Sequence, residues 1–423
     1  MLSSFKWVLL IVGLLGVAGA DWPRFRGPAG DGKAEEGLPL KWSATEGVAW
    51  KKEMPGPGAS SPIVWQNKVF LTCYSGYGLD PKQAGDMEQL KRHAICMNAE
   101  NGETLWAKEI PADLPETKYQ GTYITTHGYA SSTPVTDGER VYFFFNKSGV
   151  FAYSMDGELA WKKTVGNTNH EWGNGASPIL HGDLLIVNAG IEGDNLLALN
   201  KNTGEQVWTL GNFPRAWNTP ALVTVPESKR QELIVSVRGK VRGIDPLKGT
   251  ELWSSTGIST AELCPSPVVH EDVAYITGGP GGESLAVRIG GNGDVTKTNL
   301  LWRIRKGSNV TSPIYHNGHL FWASDSRGIL YCANPVTGDI VYETRLNPRS
   351  DRIYASPILS GDRLYFVSRS NGTFVVAAKP EFELLAHNVL STDPTEIFNG
   401  SPAVHQGRLL IRSDKFLYCI SGK

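Results

Sequence analysis

Residues 312–346 read Ser-Pro-Ile-Tyr-His-Asn-Gly, then His-Leu-Phe-Trp-Ala-Ser-Asp-Ser-Arg-Gly, then Ile-Leu-Tyr-Cys-Ala-Asn-Pro-Val-Thr-Gly-Asp, then Ile-Val-Tyr-Glu-Thr-Arg-Leu. These are four short runs rich in β-branched and aromatic residues, separated by turns that carry Gly, which is the pattern of four antiparallel strands. The same order runs through residues 177–210: SPILHGD, LLIVNAGIEGD, NLLALNKNTGE, QVWTL. The opening Ser/Thr-Pro pair recurs at Ser61, Thr133, Ser177, Thr219, Ser266, Ser312, Ser356 and Ser401, in steps of 72, 44, 42, 47, 46, 44 and 45 residues. Four strands in 42–47 residues, repeated, is the signature of a β-propeller.

In five units a Gly sits between the third and fourth runs, at Gly102, Gly157, Gly204, Gly249 and Gly338, where a tight hairpin calls for positive φ. A Trp follows in the fourth run: Trp106, Trp161, Trp208, Trp253 and Trp302, with Tyr342 and Leu385 taking the place in units six and seven. A flat apolar ring there fills the wedge between neighbouring blades, so these Trp are read as structural. The eighth unit has room for three strands only. The missing outer strand is supplied by Val48–Met54, with Trp50 in the repeated Trp place. The expectation is an all-β, eight-bladed propeller over residues 47–423, closed by its N-terminal strand. An arm over residues 21–46 is expected to pack on it through Trp22, Phe25 and Trp42.

Residues 1–20 read as an export signal: Lys6, an apolar run Trp7–Val17, and the small residues Ala18-Gly19-Ala20 before Asp21. No Cys follows the apolar run, so the chain is expected in the periplasm or outside the cell and without a lipid anchor. The 423 residues carry 41 Lys+Arg against 42 Asp+Glu. With no basic surplus, nucleic-acid binding is not expected. No later stretch is long and apolar enough to span a membrane, and a monomer is expected.

The segments NAENGETLW (98–106), LNKNTGEQVW (199–208), IDPLKGTELW (244–253) and ANPVTGDIVY (333–342), with Ser/Thr-Pro opening the next unit, resemble the quinoprotein-type, PQQ-binding-like propeller repeat. The opening Asp21-Trp22-Pro23-Arg24-Phe25-Arg26-Gly27-Pro28 resembles the start of exported proteins with this repeat. The resemblance has two branches. One is the eight-bladed outer-membrane assembly scaffolds of the BamB type, which implies a non-enzymatic binding module with a protein or polymer partner. The other is the PQQ- and Ca²⁺-dependent alcohol dehydrogenases. Their vicinal Cys-Cys pair is missing here, and no cofactor is predicted. Oxygen ligands for Ca²⁺ on that alternative would come from Glu171, Asn218 and Glu262. A carbohydrate-binding propeller is a third reading, suggested by Trp and Tyr in the loops.

In a four-stranded blade, lettered a to d from the channel outward, the b–c and d–a loops open on one face and the a–b and c–d turns on the other. Blade one carries two long insertions on the former face, Ser75–Arg92 and Pro111–Ala130, the first with room for a short helix at 83–92. Long loops in an economical repeat are commonly functional. The d–a loops of that face converge on the channel mouth. Its candidate ligand-binding residues are His127, Tyr129, His170, Glu171, Trp172, Asn174, Arg215, Trp217, Asn218, Glu262, Asn309, Arg352, Tyr354 and Asn399. No catalytic or metal-ligating residue is assigned. Cys96, Cys332 and Cys419 fall at one third-strand position and read as buried thiols. Cys264, at the mouth, is the candidate reactive thiol.

Overall fold

The computed structural model describes residues 21–80, 82–260, 262–326 and 328–422; the export signal predicted at 1–20 lies outside the described residues. Eight sheets follow one another around a central channel, each built on four antiparallel strands from the inside out, in chain order in the first seven. Blade three is typical: Ile179–His181, Leu184–Ala189, Asn195–Asn200 and Gln206–Leu210. Its two middle strands are buried along almost their whole length while the outer strand alternates. The cores therefore lie between blades: Tyr142 and Trp161 of blade two pack with Leu185 and Leu197 of blade three. No blade buries its faces alone, so the ring must close.

Closure is made by Val48–Glu53, which pairs antiparallel with Phe416–Ile420 as the outer strand of blade eight. Arg412, fully buried, adds a second fastening. Its guanidinium donates to Ser60 Oγ at 2.7 Å and to the Thr72 carbonyl at 2.6 Å, both in blade one.

The recurrence of Ser/Thr before Pro has a direct physical reason. The backbone N–H of each of these residues donates to the hydroxyl of the one that opens the next blade: Ser61 to Thr133, Thr133 to Ser177, and so on to Ser401, whose N–H returns to Ser61 Oγ. The eight bonds, 2.9–3.1 Å long, form a closed circle around the channel. An inner strand has no neighbour to satisfy its first N–H, and an unpartnered buried N–H costs about 1–3 kcal/mol. The hydroxyl of the next blade meets that need at every step.

The Gly and Trp of the repeat belong together across blades. Trp50, Trp106, Trp161, Trp208 and Trp302 each donate the indole N–H to a carbonyl in the c–d turn of the following blade, at 2.8–3.1 Å. The turn Gly of that blade lies flat on the ring. A Cβ on Gly249 would come within 2.3 Å of Trp208, and the backbone there has φ +68°. Gly249→Ala is therefore expected to cost about 2–4 kcal/mol, from left-handed strain plus the clash. Urea unfolding checks this, and an unchanged midpoint would sink the interlock.

Two places depart from the repeat. Trp253 is fully buried and donates to Glu232 Oε2 of its own blade at 2.7 Å, over Gly243, where the other blades carry a side chain. Blade five has no short c–d turn to receive it; its connection instead adds Gly293–Asp294 as a fifth strand beyond Trp253. In blade seven the register opposes Ala386, not Leu385, to Val375, because every outer strand bulges at this point. Cys96, Cys332 and Cys419 hold the equivalent third-strand position and are buried.

The arm crosses the channel on the a–b face. Trp22 bridges to Val64 of blade one, the Thr136 N–H of blade two donates to the Pro23 carbonyl, and the Arg26 guanidinium donates to the Pro313 carbonyl of blade six at 2.6 Å. Lys33–Ala34 then adds a parallel strand to the inner edge of blade seven. Trp42 stacks on Tyr365 at 6.4 Å. Phe25 projects into the channel. The arm thereby floors the channel and leaves it open on the loop face only.

Candidate functional site

The floored channel is a pocket of about 400 Å³ opening among the d–a loops. Its lower wall is the circle of inner-strand residues, of which Ser61, Thr133, Ser312, Ser356 and Ser401 line it. Its mouth is narrowed by blade one. The two insertions of that blade build a small core of their own from Tyr74, Tyr77, Leu90, Tyr119, Ile124, Tyr129 and Ala130. A buried ion pair between Arg92 and Glu116 holds the second insertion down, and Arg92 Nε also donates to the Tyr129 carbonyl. Among the described residues of the first insertion, Met87–Gln89 forms the one helical turn. In the second, the one-turn helix Ile124–His127 reaches across the mouth, where its Thr126 carbonyl accepts from Asn399 Nδ2 at 2.7 Å and Arg369 Nη2 at 3.4 Å.

Seven of the residues expected at the mouth line the pocket: His127, Trp172, Trp217, Asn309, Arg352, Tyr354 and Asn399. On one side Tyr123 stacks on Trp172 at 4.8 Å, and Trp172 leans on Trp217 at 5.8 Å. Arg352 and Tyr354, joined by a 3.0 Å hydrogen bond, come from the loop between blades six and seven, half a ring away. His127 holds the aromatic side in place. Its Nε2–H donates to the Trp172 carbonyl at 2.5 Å and its Nδ1 accepts from Ser131 Oγ at 2.7 Å. Burial lowers its pKa to about 4, so the ring is neutral near pH 7.

The other seven are placed elsewhere, each for a local reason. Tyr129 is buried in the insertion core, and its hydroxyl donates to the Thr117 carbonyl. His170 sits edge-on behind Trp217 at 5.0 Å. Asn174 turns into the wall, donating to Glu192 at 2.7 Å and capping the Ala176 N–H. Asn218 is fully buried and braces two loops through the Ser236 and Leu263 carbonyls. Glu171 and Arg215 point to solvent, and Glu262 is half-buried outside the pocket lining. Among the described residues no group of three or more His, Cys, Asp or Glu could hold a metal ion.

Cys264 does line the pocket, but loss of water pushes its thiol up to about 12. A protonated thiol is a poor nucleophile, so this direction works against the reactive role expected of Cys264.

Sequence reasoning missed Phe25, Tyr123, Thr126 and Asp325 as pocket residues. Asp325 lies in a b–c loop of the face already singled out and accepts the Asn309 N–H at 2.9 Å. The length of that loop carried no signal. The Ser/Thr hydroxyls were visible as repeat markers but not as pocket lining.

Comparison with known proteins agrees with this architecture. A curated outer membrane protein assembly factor BamB from Burkholderia pseudomallei (strain K96243) is 24% identical over 305 residues, covering 69% of this chain and 72% of the relative. The crystal structure of BamB from Moraxella catarrhalis superposes with a TM-score of 0.58 at 12% identity, covering 89% of this chain and 97% of that one. The computationally designed Ika8 protein reaches 0.56 at 11% identity, covering 87% and 98%. Both solved structures show likeness of fold. Residues 90–344, more than half of the chain, match the family described as outer membrane protein assembly factor BamB, and the chain belongs to that family.

Proposed function

We propose that this protein is an exported, non-enzymatic scaffold that holds a protein partner on its loop face, in the service of outer-membrane protein assembly. Family membership is the observation that carries the reading. The surface supports it. The insertions of blade one are anchored by a buried ion pair and a core of their own, and they present Leu79, Leu114 and Tyr123 to solvent on one face. A rigid platform with exposed apolar side chains suits protein docking, because little order is lost on binding.

The test is photo-crosslinking in the cells that make the protein, with the probe at Leu79 or Tyr123 on the loop face, or at Leu247 or Val336 in the c–d turns of the opposite face. The first pair is expected to crosslink to a component of the outer-membrane assembly machinery and the second pair is not. Deleting the gene is expected to lower the amount of folded outer-membrane β-barrel protein. Equal crosslinking from both faces, with unchanged β-barrel levels, would overturn the proposal.

A further inference from the structure

We infer that the floored channel is a binding site for a neutral polyhydroxylated ring, a sugar residue. This goes beyond the scaffold reading and does not depend on it, since the scaffold would use the rim and this site lies inside.

The first argument is the hydrogen-bond inventory. Asn309 and Asn399 line the pocket, and their Oδ1 atoms are buried with no donor among the described residues. Leaving a buried acceptor unmet is costly, so a small turn of either amide that brings its Oδ1 to a donor in the pocket is favoured. The hydroxyls of the Ser/Thr circle present the opposite need. Each accepts a backbone N–H from the preceding blade, and among the described residues none of these hydroxyls donates its own O–H. The pocket therefore offers unused acceptors and unused donors side by side. An alcohol hydroxyl is both donor and acceptor, and a ring bearing several of them meets both needs.

The second argument is charge. Among the described residues, the pocket lining holds one cation, Arg352, and one anion, Asp325. His127 is neutral. A polyanionic occupant would bring carboxylates or phosphates to a lining with no surplus of positive charge, and desolvating them there is unfavourable. A neutral polar ligand carries no such cost.

The third argument is shape. About 400 Å³ is at the low end of the range for small-ligand sites, about 300–1,000 Å³, and too small for a folded partner element. Phe25 closes the bottom, so the space takes one small ring or the end of a chain, not a strand threaded through. Tyr123, Trp172 and Trp217 give one side an apolar aromatic wall, against which the C–H face of a sugar packs while its hydroxyls turn to the polar side. Such a mix of aromatic wall and a few convergent polar groups is the general form of a ligand pocket.

The experiment is isothermal titration calorimetry and tryptophan fluorescence on the chain from Asp21 onward, with glucose, mannose, galactose and N-acetylglucosamine, and with their 1→4-linked oligomers. Saturable binding of at least one of these is expected, accompanied by a change in tryptophan emission. Asn309→Leu, which removes the unmet acceptor at similar volume, is expected to weaken it tenfold or more. Since that variant could disturb the mouth, saturation-transfer NMR on the unaltered protein gives a second reading, with transfer expected to the ring C–H protons of the sugar. A monosaccharide that binds as tightly as its oligomer identifies a free sugar as the ligand. An oligomer that binds at least tenfold tighter, with the same dependence on Asn309, identifies a glycan end. No saturation by any sugar at tens of millimolar would overturn the inference and leave water as the occupant. So would binding that a folded Asn309→Leu variant retains in full, or saturation by anionic controls such as PQQ and not by any neutral sugar. None of these results bears on the scaffold reading, which is decided by crosslinks and β-barrel levels.

Discussion

A chain that starts at Pro55 is expected to lose cooperative folding altogether. It lacks the outer strand of blade eight, so Phe416–Ile420 becomes a bare edge and the pairs Trp50–Cys419 and Lys52–Leu417 disappear. The Trp50 indole bond to the Ala99 carbonyl, which latches blade eight to blade one, goes with it. So do the buried arm residues Trp22, Leu38 and Trp42. Domain stabilities are about 5–15 kcal/mol, and a propeller buries its cores between blades, so an open ring exposes a whole interface. Circular dichroism against temperature should show no single sharp transition. The geometry offers a rescue that separates strand from arm. The Ser421 N–H donates to the Gly47 carbonyl at 2.9 Å, so the two chain ends of blade eight are adjacent. Moving residues 47–54 to follow Gly422 through a short turn should restore a closed ring without the arm. A truncated chain that melts like the parent would refute the closing role of this segment.

Replacing Glu192 by Gln is expected to stabilise the protein, and to do so increasingly as pH rises towards 8. Glu192 lies in the b–c loop of blade three with its side chain fully buried. Desolvation raises its carboxyl from the ordinary 4.5 to about 8, with the nearby Glu116 adding to the rise. The Asn174 amide and Arg92 oppose it, and Oε2 has no partner among the described residues. The folded pKa lies above the unfolded one. Between about pH 4.5 and 8 the unfolded chain has released this proton while the folded chain keeps it, so stability falls as pH rises. At 1.36 kcal/mol per unit the loss over that window is about 3–5 kcal/mol. Gln is neutral throughout and escapes it. Chemical denaturation of both proteins at pH 5 and pH 8 should show a small difference at the lower pH and a large one at the higher, levelling off beyond. Parallel pH profiles would show that Glu192 is ionised in the fold.

The propeller was legible in the sequence because its signals are local and repeated. A Ser/Thr-Pro pair, recurring every 42–47 residues after a first step of 72, marks each inner strand, and Gly followed four residues later by Trp marks the outer hairpins of blades one to four. Counting strands against the end of the chain was enough to assign Val48–Glu53 to blade eight. The purpose of those residues was less legible. Gly249 and Trp208 look like members of separate hairpins, and their contact exists only once blades three and four stand side by side. Trp253 carries the same local pattern as the other Trp, yet its indole turns to Glu232, because the partner turn in blade five is absent.

The site was legible to about half its depth. Loop position follows from strand order, so the d–a loops were correctly brought to one face. Side-chain direction within a loop follows from which backbone groups need partners. Asn174 and Asn218 turn into the wall to satisfy buried N–H and C=O groups, while Asn309 and Asn399 stay in the pocket lining.

The sequence by itself determined the strand order, the number of blades, the closing strand and the face on which the long loops lie. All of these depend on periodicity, which is a property of neighbours along the chain. Only the tertiary structure decided that the channel is blind, that its mouth is half covered, and that eight hydroxyls circle it. Those features join residues far apart in the chain: Arg26 with Pro313, Thr126 with Asn399, Ser401 with Ser61. Each depends on a contact that arises only when the ring has closed and brought the first blade beside the last.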